Sequence, residues 1–431
     1  MKPGARIASA VDVLNEVLNR HRPVSQALAD WGRAHRFAGS GDRAAIGNLV
    51  YDAVRRRQSL AEQMSSDEPR ALILAAAPRA FAMSADDVAA AADGSKHALT
   101  PMTDSERAGL DRALPAALPA HVLGDFPQWL APSLDRAFGD RAAGEGAALA
   151  TRAPLDLRTN ALKAEREQVL KSLAKAGAQA GEFTAHAVRI AAPVGGARTP
   201  NVEAEASHGR GWFEVQDQGS QIAAALAGAG PRMQVLDLCA GAGGKTLAMA
   251  ADMQNTGQIY AYDSDKQQLR PIFDRIRRAG VRSAQILDAG DETALHDLGP
   301  RFDVVLVDAP CTGSGVWRRR PDAKWRVKPA NLAMRISEQQ RVLKTAAGLV
   351  RPGGRVVYVT CSILPEENLD QVTWFQDNVS GFTIKPYAQC WRGALSGEAP
   401  NSADGRQDTL LLTPASHGTD GFFIATFERM Q

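Results

Sequence analysis

Val235-Leu236-Asp237-Leu238-Cys239-Ala240-Gly241-Ala242-Gly243-Gly244-Lys245-Thr246 is the stretch that decides how this chain is read. An apolar run ending in an acid, a glycine-rich turn and a helical start make a strand–turn–helix unit. Glycines there let the backbone approach a ligand closely, and the helix N-terminus offers free N–H groups to an anion. Beyond it, apolar β runs alternate with helical stretches at 234–238, 258–263, 284–288, 302–308, 355–360 and 421–427. Such alternation predicts an α/β, Rossmann-like fold with a mostly parallel sheet covered on both faces. The last run follows His417-Gly418-Thr419-Asp420-Gly421 and is expected as an antiparallel edge strand.

Three ligands compete for the glycine turn. A P-loop needs a glycine five positions before the Gly of Gly-Lys-Thr, and Cys239 stands there, so Gly244-Lys245-Thr246 is a decoy. A nicotinamide-type turn starting at Gly241 needs a glycine where Thr246 stands. S-adenosylmethionine fits better: its carboxylate and ammonium suit a short turn flanked by Asp237, and its ribose wants an acid after the next strand. Asp263 is that acid, 19 residues after Gly244. Asp288 ends a third strand, where it can accept from an adenine amino group. A turn that merely packs helix on strand would leave Asp263 and Asp288 unexplained.

Two further strands end in thiols. Phe302-Asp303-Val304-Val305-Leu306-Val307-Asp308-Ala309-Pro310-Cys311 carries a carboxylate and a thiol three residues apart, and Arg355-Val356-Val357-Tyr358-Val359-Thr360-Cys361 carries another thiol. Both are expected at the carboxyl edge of the sheet, where open α/β sheets bind ligands. Beside a methyl donor a thiolate has an obvious use. Carbon 5 of cytosine is too weak a nucleophile to take a methyl group until a thiolate has added to carbon 6. An acid at N3, here Asp308, would stabilise the charge that develops. Chemistry alone does not choose between the two thiols. DNA cytosine methyltransferases resemble this plan and attack from a Pro-Cys at the position of Cys311, but Cys361 leaves that assignment open.

The remainder sets the context. With 431 residues, two or three domains are expected. Residues 1–145 read as an all-α domain, with apolar positions at helical spacing (Ile7, Val11, Leu14, Leu18; Ile46, Leu49, Val50, Ala53) before an alanine-rich, proline-broken stretch. Residues 146–216 read as a small α+β module with strands near 155–160, 187–190 and 211–216, a helix from Glu167 to Ala176 and an exposed loop from Pro193 to Pro200. Residues 217–431 are expected to form the domain that carries the chemistry. No run approaches the roughly 18 apolar residues of a membrane span, which leaves a cytoplasmic chain with no membrane partner. The four cysteines show no CxxC spacing, so neither a metal site nor a disulfide framework is expected. The net charge of +2 is uninformative, but its distribution is not. Residues 1–66 hold ten Lys and Arg against six Asp and Glu, and Arg318, Arg319, Arg320, Lys324, Arg326 and Lys328 cluster around a single Asp322.

Taken together, Leu236 to Thr246, Asp308-Ala309-Pro310-Cys311-Thr312-Gly313 with Arg319-Arg320-Pro321-Asp322-Ala323-Lys324-Trp325, Thr360-Cys361-Ser362-Ile363-Leu364-Pro365-Glu366-Glu367-Asn368 and Asp420-Gly421-Phe422-Phe423 resemble the RNA 5-methylcytosine methyltransferases of the bacterial ribosomal small-subunit methyltransferase B type. The likeness covers roughly residues 150–431. It implies that Cys361 is the nucleophile, that Cys311 assists product release, and that the methyl donor lies on Cys239, Ala240, Gly241, Ala242, Gly243, Gly244, Lys245, Asp263, Asp288 and Asp308. The family's usual turn reads Ala-Pro-Gly-Gly-Lys where this chain has Gly241-Ala242-Gly243-Gly244-Lys245, so a looser turn is expected. Arg6 to Arg57 resembles the NusB-type helical RNA-binding domain attached to this subfamily.

The implied activity is methylation of carbon 5 of a cytosine in RNA, with 16S ribosomal RNA as the substrate and a monomeric enzyme. The same chemistry on transfer RNA and a silent ribosome-assembly factor are the alternatives. Arg318, Arg319, Arg320, Lys324 and Arg326 are expected on RNA phosphates. Trp317 and Trp325 are candidates for stacking on bases, against the commoner fate of core packing.

Overall fold

The structure, a computed structural model, describes residues 1–115, 117–195 and 197–431; Gly196, in the loop expected between Pro193 and Pro200, lies outside them. The described residues form two compact units. One comprises Met1–Arg152, Pro193–Thr199 and Trp317–Arg326; the other comprises Ala153–Ala192, Pro200–Val316 and Val327–Gln431.

The first unit is built from helices, as its apolar spacing predicts. Its central helix, Pro69–Phe81, starts on a proline whose missing N–H costs nothing there. Nine of its residues are buried, Leu72, Ile73 and Leu74 among them, which is the pattern of a helix surrounded by others. Pro78, read from sequence as a helix breaker, instead sits inside this helix. Capping boxes at Ser84 and Thr103 open two short helices that follow. Alanine and glycine allow close approach: a Cβ on Gly4 would meet the carbonyl of Ala91 at 2.2 Å.

The second unit contains two sheets. The smaller has β1 (Leu155–Thr159), β2 (Gln179–Ala180), β3 (Ala187–Ile190) and β4 (Phe213–Val215) in the order β2-β3-β1-β4, all antiparallel. Leu157, Val188 and Phe213 bury one face with Val169 of the helix Arg166–Ser172. The expected α+β strands are present, and β2 is an addition too short to show a period.

The larger sheet has β5 (Gln234–Asp237), β6 (Gln258–Ala261), β7 (Ala284–Ile286), β8 (Phe302–Asp308), β9 (Val350–Thr360), β10 (Phe382–Lys385), β11 (Leu410–Leu412) and β12 (Phe422–Arg429). Its order is β10-β12-β9-β8-β5-β6-β7, with β11 also paired to β12. β5 to β9 are mutually parallel, and most of β8 and the Val356–Val359 part of β9 are apolar runs because both faces are covered there. β9 starts before that run, at Val350, and passes through the exposed Arg351, Pro352 and Gly353. β12 is antiparallel to β9, as expected, but it is not an edge: β10 and β11 pair with it. Those two strands are only four and three residues long and carry little signal of their own. The strand order reverses between β5 and β8, which places the ligand crevice beyond their carboxyl ends. Among the described residues, no helix is long and apolar enough to cross a membrane.

Candidate active site

The crevice is built first by backbone. Gly241 (φ +50°) and Gly243 (φ +81°) carry the turn after β5 through the left-handed region, where a side chain is strained. A Cβ at Gly243 would also lie 2.4 Å from Ile272 Cγ1, whereas among the described residues nothing lies within 4 Å of one at Gly241. The turn is pinned from three sides. Asp263 Oδ2 accepts the Gly241 N–H at 2.9 Å, Arg275 donates to the Ala242 carbonyl at 2.8 Å, and Gly243 N–H donates to the Ala240 carbonyl at 2.8 Å. Arg275 is itself held by buried Glu214 of β4. The turn is therefore fastened rather than loose, and the fastening residues come from β4, the end of β6 and the helix Ile272–Ala279.

Around this turn the acids differ in state. Asp237 ends β5 fully buried; burial pushes its carboxyl up to about 7, against a 2.6 Å hydrogen bond from Thr246 to Oδ2. Its Oδ1 has no partner among the described residues and so can accept from an ammonium group in the crevice. Asp263 uses Oδ1 for the N–H of Asp265 at 2.8 Å, and each oxygen keeps a further lone pair for a hydroxyl. Asp288 is exposed beyond β7. Cys239 faces a cavity lined also by Leu238, Tyr262, Ser264, Glu292 and Arg341, and burial pushes its thiol well up. An open position over Gly241, an unsatisfied oxygen on Asp237 and a poised Asp263 suit the amino-acid and ribose parts of S-adenosylmethionine.

The chemistry-bearing groups meet at the ends of β8 and β9. Register sets Asp308 beside Val359, and the Ala309 N–H donates to the Val359 carbonyl at 2.8 Å. The two chains then turn together. Cys311 Sγ lies 3.4 Å from Cys361 Sγ. The hydrogen bond to Cys361, and then burial, push the Cys311 thiol well above the ordinary thiol range. Lys245 Nζ donates to Asp308 Oδ2 at 2.5 Å and stands 5.4 Å from the centre of the Phe422 ring. The sequence places Lys245 only on the methyl donor; here it reaches the carboxylate expected at N3.

Several residues that sequence reasoning missed hold this arrangement. The Gly315 N–H donates to the Cys361 carbonyl at 3.0 Å, and the Gly421 N–H donates to the Gly315 carbonyl at 2.8 Å. A Cβ on Gly315 would meet the Gly421 carbonyl at 2.2 Å, which explains a glycine on each side of that contact. Ser314 and Ser362 hydroxyls bond at 2.8 Å, joining the two loops again. Glu367 and Gln339 complete the set behind Thr312. Thr312, Ser362, Glu367 and Gly421 stand within the quoted motifs without a role of their own, and Ser314, Gly315 and Gln339 lie outside them, because such residues in loops and on a helix carry no period that points to a site.

The expected RNA-facing cluster divides. Trp317–Arg326 is part of the helical unit. There Lys324 is buried and donates to the Arg55 carbonyl at 2.9 Å, and Trp325 Nε1 donates to the Val54 carbonyl at 2.7 Å. These are the last carbonyls of the helix Ser40–Arg55, which have no partner within it. Arg318 is buried as well, and its carbonyl accepts from Arg55. Trp317 is 1% exposed, a core side chain with no face for a base. Arg318 and Lys324 are thus corrected from phosphate contacts to structural anchors, while Arg319, Arg320 and Arg326 are exposed. Burial pushes Lys324 down to about 7, a state that a phosphate-binding lysine would not need. Among the described residues no group of three His, Cys, Asp or Glu side chains could hold a metal ion.

Comparison with known proteins adds independent findings. The family model described as 16S rRNA methyltransferase RsmB/F matches residues 225–428, and that described as the RsmF/B-like ferredoxin-like domain matches residues 126–195. The chain is 34% identical over 311 residues to a probable ribosomal RNA small subunit methyltransferase B from Synechocystis sp., covering 70% of this chain and 67% of that one. It is 32% identical over 306 residues to ribosomal RNA small subunit methyltransferase B from Sodalis glossinidius, covering 69% and 66%. The matched part thus spans about two thirds of the length of these relatives. A crystal structure named PH0851 superposes with a TM-score of 0.73 at 24% identity, over 100% of this chain and 99% of that one, a likeness of fold.

Proposed function

The chain belongs to the 16S rRNA methyltransferase RsmB/F family, and from that premise we propose that it methylates carbon 5 of a cytosine in 16S ribosomal RNA through a covalent bond from Cys361 to carbon 6. The observation that carries this reading is the pair of thiols 3.4 Å apart at the ends of β8 and β9. The family pattern makes Cys361 the attacking thiol, and the raised Cys311 thiol suits the partner that stays protonated beside it.

Cys361, its proton lost to solvent, adds to carbon 6 as the thiolate, and the electron pair of the ring double bond moves toward N3. Lys245 stands behind Asp308 and feeds a proton through that carboxyl to N3. S-adenosylmethionine bound over Gly241, Asp237 and Asp263 supplies the electrophilic methyl group for carbon 5. Release needs carbon 5 to lose its proton to solvent, the double bond to re-form and the Cys361 sulfur to leave. Cys311 keeps its proton and hydrogen-bonds through its S–H to the departing thiolate, which eases the departure. Cys361 leaves as the thiolate that attacked, and the N3 proton returns to the Asp308–Lys245 pair, so the site is restored. Arg319, Arg320 and Arg326 offer exposed charge to RNA phosphates on a helical domain that binds RNA, and the enzyme acts in the cytoplasm as a monomer. A paired target base must be swung out before a thiol can reach carbon 6.

The test is bisulfite sequencing of 16S and transfer RNA after incubation with enzyme and donor. One protected cytosine in 16S RNA is expected. Protection confined to transfer RNA, or a new methyl group elsewhere on the base, contradicts the proposal.

A further inference from the structure

Glu367 touches neither thiol, yet it fastens one of them. It follows Cys361 across the turn Pro365–Glu367 and is fully buried. A buried carboxylate is costly unless its oxygens are bonded. Oε1 accepts the Thr312 N–H at 2.8 Å and Gln339 Nε2 at 3.2 Å, while Oε2 accepts the Thr312 hydroxyl at 2.6 Å. Gln339, buried in the helix Pro329–Leu349, also donates to the Pro310 carbonyl at 2.9 Å. Pro310 and Thr312 are the two neighbours of Cys311. Both are therefore fixed to one buried polar group while the thiol between them meets Cys361.

The loop of Cys361 is fixed mainly by other means: Asn368 donates to the Ser362 carbonyl at 2.9 Å and accepts from Thr360 at 2.6 Å. The Ser362 hydroxyl also interacts with the Glu367 carboxylate. The carboxylate nonetheless holds both the N–H and the hydroxyl of Thr312 and, through Gln339, the Pro310 carbonyl, so it bears most heavily on Cys311. We propose that Glu367, steadied by Gln339, is a positioning residue for product release: it holds Thr312 so that the Cys311 thiol stays against the sulfur of Cys361. The inference rests on the reading that Cys361 attacks and Cys311 releases. It adds a residue that bears chiefly on the release half of the reaction.

The experiment follows the covalent protein–RNA adduct on denaturing gels in a single turnover of the full-length enzyme with RNA and S-adenosylmethionine. Glu367→Ala should resolve adduct roughly 10- to 100-fold more slowly, the scale set by misplacing a reacting group by about 1 Å, and slow its formation by far less. Thr312→Val keeps the loop's bulk and the fold, and should slow resolution in the same direction by less. Glu367→Gln should restore resolution, because an amide can accept the Thr312 N–H and donate to its hydroxyl. A residue needed only for folding would slow formation and resolution alike and weaken donor binding.

The proposal is overturned if Glu367→Ala and Thr312→Val resolve adduct at the wild-type rate, or if Glu367→Gln is as slow as Glu367→Ala. Cys311→Ala separates the two levels of inference. If it traps adduct while Glu367→Ala does not, only the role of Glu367 falls. If it traps none, the division of labour between the thiols falls first, and the role of Glu367 with it.

Discussion

Lys245 Nζ lies 2.5 Å from Asp308 Oδ2, on a side chain only 8% exposed. The glycine turn thereby delivers a cation to the far side of the crevice, where it faces the carboxylate that ends β8. Lys245→Met and Asp308→Asn should each lower the single-turnover methylation rate by roughly 100- to 10,000-fold, the range for loss of acid–base help. Because the two groups act as one unit, the double variant should be no worse than the weaker single variant. Losses that multiply would show two separate roles.

The two glycines of the turn should fail differently. Gly243→Ala collides with Ile272 and is held at positive φ, so it should destabilise the protein by about 1–3 kcal/mol in denaturant titration. Gly241→Ala meets no described protein atom, and its strain should cost only about 1 kcal/mol. Alanine is also the residue that the family's usual turn carries at this position, so calorimetric titration should show S-adenosylmethionine bound about as tightly by Gly241→Ala as by the wild type. Gly241→Phe, whose ring would fill the open space over the turn, should weaken donor binding by roughly tenfold or more, near 1.4 kcal/mol. Unchanged donor affinity in Gly241→Phe would contradict the placement of the donor on this turn.

Lys324 gives a pH signature in the helical unit. Its folded value is lowered by burial to about 7 from 10.5, so between these values the unfolded chain binds more protons than the folded one. Stability should then rise with pH from about 7 toward 10, by up to about 1.4 kcal/mol per unit. Lys324→Met should flatten that rise in thermal melts recorded across the same window. A rise that persists in the variant would assign it to other groups.

RNA binding separates the exposed from the buried members of the basic cluster. Arg319→Ala with Arg320→Ala should weaken RNA binding and reduce the slope of log K against log salt by about 0.7 for each phosphate no longer neutralised. Lys324→Met should leave that slope unchanged, since its ammonium already serves the Arg55 carbonyl. Filter binding at several salt concentrations measures both.

Much of this site is legible in the amino-acid sequence. β8 and the later part of β9 read directly because strands buried on both faces are apolar runs, and Cys311 and Cys361 stand where those runs end. Asp237 and Asp263 are legible for the same reason. What escapes depends on partners far away in the chain. Lys324 reads as a phosphate contact because a lysine among arginines looks solvated, and only a helix end 269 residues away makes it an anchor. Glu367 stands in a quoted motif, but its role is not legible because its bonds reach Thr312 and Gln339 on other elements. β12 reads as an edge because the short strands that cover it, β10 and β11, leave no period to detect.

The division of labour between Cys361 and Cys311 is the claim on which the rest depends. Wild type, Cys361→Ala and Cys311→Ala should be incubated with 16S RNA and S-adenosylmethionine and resolved on a denaturing gel that reports covalent protein–RNA adduct. The account predicts no adduct and no methylation for Cys361→Ala, and accumulated adduct for Cys311→Ala. Adduct that survives the loss of Cys361 and disappears with the loss of Cys311 would contradict it.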